Sequence, residues 1–185
     1  MKKKVLQIIF PDFEEIEALT PVDVLRRAGL VVDLAALGNS REVVGRSKIK
    51  VFADTLLADI DLSEYCAVVI SGGSGVYKVL DNPLLLGAVK LANSMNILVC
   101  AICAGPLILK QAGILDGKKC TGYPDTAEKL GKLYSAESPC VFDQNILTSK
   151  GMGTATDFAL KIVELLLGPE KSSQIAESIC YKTKL

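Results

Sequence analysis

Four short apolar runs, each rich in β-branched residues, recur along the first hundred positions: Val5 to Phe10, Val31 to Leu34, Ala67 to Ile70 and Ile97 to Cys100. They are bounded by turn formers and lack the polar alternation of a strand with one wet face. Runs of this kind are strands covered on both sides. Longer stretches of helical period lie between them, notably Glu14 to Ala28, closed by Gly29, and Leu84 to Met95, opened by Asp81-Asn82-Pro83. Alternating strand and helix signals predict a parallel sheet with helices on both faces. Toward the C-terminus Ile146 to Thr148 reads as another strand, and helices are predicted from about Thr154 to Leu167, ending at Gly168, and from Glu170 to Ile179. Thr20-Pro21 falls inside the first helix, where proline removes a backbone donor, so a kink is expected there.

No linker, repeat or low-complexity segment interrupts the pattern, so residues 1–185 read as a single domain. A chain of that size buries roughly 70% of its unfolded surface and needs no disulfide or metal to fold. Acidic and basic residues balance at 21 each, which asks for neither nucleic acid nor an acidic membrane surface as partner. No apolar run approaches the roughly eighteen residues of a membrane span. The opening Met1-Lys2-Lys3-Lys4 precedes an apolar segment too short for an export signal, and reads as three solvated lysines before the first strand. The six cysteines are scattered and mostly apolar in their surroundings, so reduced thiols in the cytoplasm are expected.

In doubly wound sheets ligands sit beyond the carboxyl ends of the strands. Three loops qualify: Pro11 to Glu17, Ser71 to Gly75, and Cys103 to Gly105. The second, Ser71-Gly72-Gly73-Ser74-Gly75, lacks both the Lys-Ser/Thr of a P-loop and the full dinucleotide spacing. It reads as a tight glycine turn, or as one side of an oxyanion hole. Cys103 follows a strand, has small neighbours, and opens a helix predicted to run to Ala112, the layout of a nucleophile elbow. The amides that follow and the positive end of that helix favour a thiolate. A buried cysteine packed as a small hydrophobe fits the position equally well. Cys100 belongs to the strand and reads as core, and with no second ligand pair a zinc site is not indicated.

The chain contains no histidine, so no cysteine-histidine dyad can form, even across a homodimer. A carboxylate or backbone dipoles must do that work. Glu14 and Glu15 are accounted for by the dipole of the first helix. Glu17 lies among Ile16, Ala18 and Leu19, and a buried carboxyl there has a raised pKa and can donate a hydrogen bond to a thiolate.

Several segments together resemble the ThiJ/PfpI superfamily, in particular the short branch of the parkinsonism-associated protein deglycase and its bacterial homologues. They are Glu14-Glu15-Ile16-Glu17, Pro21 to Gly29, Val68 to Gly73, Ala101-Ile102-Cys103-Ala104-Gly105-Pro106, Thr121-Gly122-Tyr123-Pro124 and Thr148 to Thr154. The resemblance implies a flavodoxin-like three-layer sandwich, usually a homodimer, with Cys103 as nucleophile and Glu17 as its protonated partner. It puts the oxyanion and binding positions at Gly72, Gly73 and Ala104, and places Tyr123 where the human-type member has a histidine. A family arginine aligns around Arg46-Ser47. The protease branch carries histidine where this chain has Ala104, so peptidase activity is not expected. The implied activity is cofactor-free, acting on small α-oxoaldehydes such as methylglyoxal and glyoxal or on their early protein adducts. The alternative is a redox-sensing or chaperone-like protein in which Cys103 is oxidised to a sulfinate.

Overall fold

The computed structural model describes residues 4–181. Nine strands are present: β1 (Lys4–Ile9), β2 (Val31–Ala36), β3 (Glu42–Val44), β4 (Lys50–Phe52), β5 (Thr55–Leu56), β6 (Tyr65–Ile70), β7 (Leu98–Ile102), β8 (Cys140–Asp143) and β9 (Ile146–Ser149). Seven are joined in one sheet of order β5-β2-β1-β6-β7-β9-β8, in which only the β8–β9 pair is antiparallel. The helices are α1 (Glu15–Arg27), α2 (Val76–Val79), α3 (Pro83–Ser94), α4 (Pro106–Gln111), α5 (Ala127–Leu130), α6 (Ala155–Leu167) and α7 (Pro169–Ser178).

The chain leaves β1 for β2 on one side, then returns to β6 on the other. Crossovers of one hand made in opposite directions put α1 and α3 on opposite faces of the sheet. Accordingly α1 packs with α6, which packs with α7, while α3 packs with α4. The apolar runs owe their composition to this double cover: Val5, Leu6, Ile8 and Ile9 of β1 and Ala67 to Ile70 of β6 are wholly buried. The reversal between β1 and β6 is the topological switch point, where loops diverge and leave a crevice. No described helix is long and apolar enough to cross a membrane.

The central strands and long helices fall where the sequence puts them. Four strands do not, and each is short. β3 and β4 form a separate antiparallel hairpin, with Val43 as its one fully buried residue, and the edge strand β8 buries none. Such segments carry no apolar run to read. α1 continues through Pro21 as one helix, as expected of a helix kept across that proline. The helix read as opening at Cys103 begins at Pro106, after a tight turn in which the Gly105 amide donates to the Ile102 carbonyl (2.9 Å). Lys2 and Lys3 lie outside the described residues. Lys4 is already in β1, its ammonium paired with Glu64 at 2.9 Å.

Candidate active site

The carboxyl ends of β1, β6 and β7, three adjacent strands, deliver Glu17, the Gly72-Gly73 turn and Cys103 to one place. Glu17 sits in the first turn of α1, where the chain turns back over the switch point, and is only 1% exposed. Its Oε2 accepts a hydrogen bond from the Gly72 amide (3.0 Å). A β-carbon at position 72 would stand 2.5 Å from Cys103 Cβ, 2.7 Å from Glu17 Oε2 and 2.9 Å from the Ile102 carbonyl oxygen. Glycine at 72 is therefore what lets the carboxyl and the thiol meet, and its amide is already engaged by Glu17.

Cys103 has φ of +64°, in the left-handed region that costs a side-chain-bearing residue roughly 1–3 kcal/mol. Both of its backbone groups are clamped: its N–H donates to the Ser149 carbonyl (2.9 Å) and its carbonyl accepts from the Tyr123 amide (2.7 Å). Those bonds hold the elbow and aim the thiol at the Glu17 carboxyl and the amides of Gly73 and Ala104. Gly73, at φ +98°, makes the turn that points its amide inward. Cys100 is wholly buried in β7, is unbridged, and has its thiol pushed well up by burial.

Burial pushes the Glu17 carboxyl up to about 7, against the lowering effect of its bonds with Cys103 and Gly72. Burial, and then the charge of an ionised Glu17, push the Cys103 thiol up to about 12, although the Gly73 and Ala104 amides pull it down. This corrects the expectation that amides and a helix end make an easy thiolate. α4 is six residues long and starts beyond the elbow, so desolvation outweighs it. What the geometry builds is a coupled pair. Near pH 7 the first proton leaves the carboxyl, and the sulfur keeps the second. A thiolate exists in the arrangement that leaves the proton on Glu17.

The thiol opens on a cavity of about 340 Å³. Tyr123 lines it, half-exposed, as do Ala104 and Gly73. Arg46 reaches the rim, its Nη1 donating to Glu14 Oε2 at 3.2 Å. Glu14 and Glu15 thus do more than favour a helix dipole. Glu15 Oε1 accepts from the Ser47 amide (2.8 Å) and occupies the space left by Gly45, which braces the turn that carries Arg46. The cavity wall also includes Tyr77, Asp125 and Met152, which sequence reading did not single out. Met152 had a signal, since it follows β9 as the loop residues follow the other strands. Tyr77 and Asp125 had none. Among the described residues no metal-type cluster of three ligands occurs.

The DJ-1/PfpI family model matches residues 3–165. Protein dj-1beta of Drosophila melanogaster is 37% identical over 182 residues, 97% of each chain, and a crystal structure of Drosophila DJ-1beta superposes with a TM-score of 0.95 at 35% identity over 99% of this chain and 100% of that one. The glutathione-independent glyoxalase DJR-1.2 of Caenorhabditis elegans is 36% identical over 183 residues, 97% of each chain. The structure of oxidized Toxoplasma gondii DJ-1 gives a TM-score of 0.93 at 32% identity, covering 97% of this chain and 99% of that one.

Proposed function

The chain belongs to the DJ-1/PfpI family, and on that premise we propose that it is a cofactor-free enzyme of the glyoxalase or deglycase type. Cys103 is the nucleophile, Glu17 the proton carrier, and the substrate an α-oxoaldehyde such as methylglyoxal or its early adduct on a protein. The observation that carries this reading is the buried Glu17 carboxyl hydrogen-bonded to the Cys103 thiol, faced by two inward amides in one cavity. The glyoxalase activity named for the Caenorhabditis relative supports it.

With the proton on Glu17, Sγ attacks the aldehyde carbon and a C–S bond forms. The carbonyl electrons move to oxygen, which the Gly73 and Ala104 amides hold, and Glu17 supplies the proton. The Glu17 carboxylate then takes the proton from the carbon bonded to sulfur and returns it to the adjacent carbon, while the hydroxyl proton passes from the first oxygen to the second, leaving a thioester. Water cleaves that thioester, releasing lactate from methylglyoxal or glycolate from glyoxal and restoring the thiol. Net, one water is added and no electron acceptor is needed. Tyr123, which lines the same cavity, would donate its hydroxyl to the second oxygen. Ala104 occupies the place of the histidine a peptidase of this family would use, so hydrolysis of peptides is not part of the proposal. The enzyme acts as a homodimer in the cytoplasm.

Purified protein should convert methylglyoxal to lactate, and Cys103→Ala should lose the activity. Equal rates for the two proteins would end the proposal. A second reading draws on the oxidised relative. Peroxide would carry Cys103 to a sulfinate, two equivalents delivering two oxygens and leaving as water, with protonated Glu17 bound to the product. Intact mass under graded peroxide tests it; two oxygens gained first at any other cysteine would exclude a sensing role.

A further inference from the structure

Among the fifteen glycines, Gly151 is set apart by what surrounds it. The others either adopt a φ in the range that side-chain-bearing residues rarely take, or leave a built β-carbon in collision closer than 3.0 Å, or face open space. Gly151 does none of these. Its φ of 160° is extended backbone open to any residue, and its built β-carbon makes only ordinary contacts: 3.6 Å to Tyr123 Cδ2, 3.7 Å to Glu17 Oε1 and 4.0 Å to Cys103 Cβ. Neither backbone conformation nor packing requires glycine here.

The three groups a side chain would touch all line the reactive cavity. The missing side chain therefore leaves a methyl-sized niche beside Cys103 Cβ and Oε1 of Glu17. The other oxygen, Oε2, is held by the Gly72 amide, and Oε1 is the one on the side of the niche. The niche cannot yield by a loop shift. Thr154 grips Gly151 twice, its hydroxyl donating to the Gly151 carbonyl (2.8 Å) and its amide to the same oxygen (2.8 Å), and its Oγ1 is tied to Ser149 Oγ (2.7 Å). Ser149 in turn holds the Cys103 amide.

We propose that Gly151 is a specificity-determining residue, whose absent side chain forms a niche for the substituent next to the carbon that Cys103 attacks. In methylglyoxal that substituent is the acetyl methyl; in glyoxal it is hydrogen. The identity of the substrate rests on the α-oxoaldehyde reading above, whereas the niche itself does not.

Two ratios test it. Gly151→Ala should lower kcat/KM for methylglyoxal about tenfold more than for glyoxal, the discrimination one methyl group supplies in a fitted pocket. Independently of turnover, the same substitution should slow Cys103 labelling by 2-iodopropionamide about tenfold more than labelling by iodoacetamide. Tyr123→Ala, which opens the niche from its far wall at a half-exposed residue, should move both ratios the other way and serves if Gly151→Ala folds poorly. Gly153→Ala in the same loop faces open space and should move neither. Unchanged ratios in Gly151→Ala and Tyr123→Ala would overturn the niche. A labelling ratio that shifts in a protein that turns over neither aldehyde would uphold the niche and overturn the enzyme reading.

Discussion

Cys100 and Cys103 lie three residues apart on one strand and the turn that follows it, yet share only their side chain. Cys100, midway along β7, is wholly buried, and burial is the main cause of its raised thiol pKa. Cys103, just past the strand, is forced into a left-handed backbone and meets a carboxyl and two amides. Burial discourages ionisation of both thiols. Only at the strand end does a second proton site exist, so only there can a thiolate form by moving a charge already present rather than adding one. A reactive cysteine in a buried site thus depends less on a lowered pKa than on a neighbour able to take its proton.

The sharpest way to break this contrast is Gly72→Ala. The added carbon would overlap Cys103 Cβ and the Ile102 carbonyl, neither of which is free to move. A loss of about 3 kcal/mol in chemical denaturation is expected, together with Cys103 alkylation slowed about tenfold or more. Wild-type behaviour in both would show that the close approach at residue 72 is not what assembles the pair.

Next in size is the pH dependence conferred by Glu17. Its folded-state pKa of about 7 lies above the ordinary 4.5. The native state therefore binds more protons between those values, and stability should fall as pH rises from 4.5 to 7, by about 3 kcal/mol in all. The penalty is absent below 4.5 and complete above 7. Glu17→Gln should abolish this fall, and move the inflection of Cys103 alkylation from near 7 to higher pH. Urea midpoints at pH 5 and 8 and iodoacetamide rates across pH 5 to 10 measure the two effects.

A smaller effect comes from the strand's interior. Cys100→Ser should cost about 2 kcal/mol by burying a hydroxyl among apolar groups, while leaving the Cys103 alkylation profile unmoved. A shifted profile would mean that the two thiols are coupled after all. Smallest is Arg46→Gln, which removes a half-exposed ion pair with Glu14. It should change stability by less than about 1 kcal/mol, and any larger change in kcat/KM would identify Arg46 as a substrate contact.

The double-covered strands and the elbow were legible because each is announced locally, by an unbroken apolar run or by small residues at its end. Glu17 could be suspected of burial from Ile16 and Ala18 beside it, but its meeting with Cys103 depends on β6 lying between β1 and β7, and strand order leaves no local trace. Family resemblance supplied that link. Reading the helix end beyond Cys103 as an activator failed because local pattern carries no measure of desolvation. The Arg46 turn was out of reach for another reason: its hairpin strands are three residues long, and what anchors it, Glu15 against Gly45, joins positions that no periodicity relates.

The three loops that build the pair leave strands in parallel register at their carboxyl ends, Ile8 opposite Ile70 and Ile70 opposite Ala101. A slip of one residue would turn a strand's side chains to the other face of the sheet. Parallel pairings between distant segments also close late in folding, because loop entropy must be met before they form. The inflection near pH 7 should therefore be missing from a collapsed or nascent chain, whose Cys103 would titrate as an ordinary thiol. Pulse alkylation during refolding would use the site as a clock for the moment the central sheet locks.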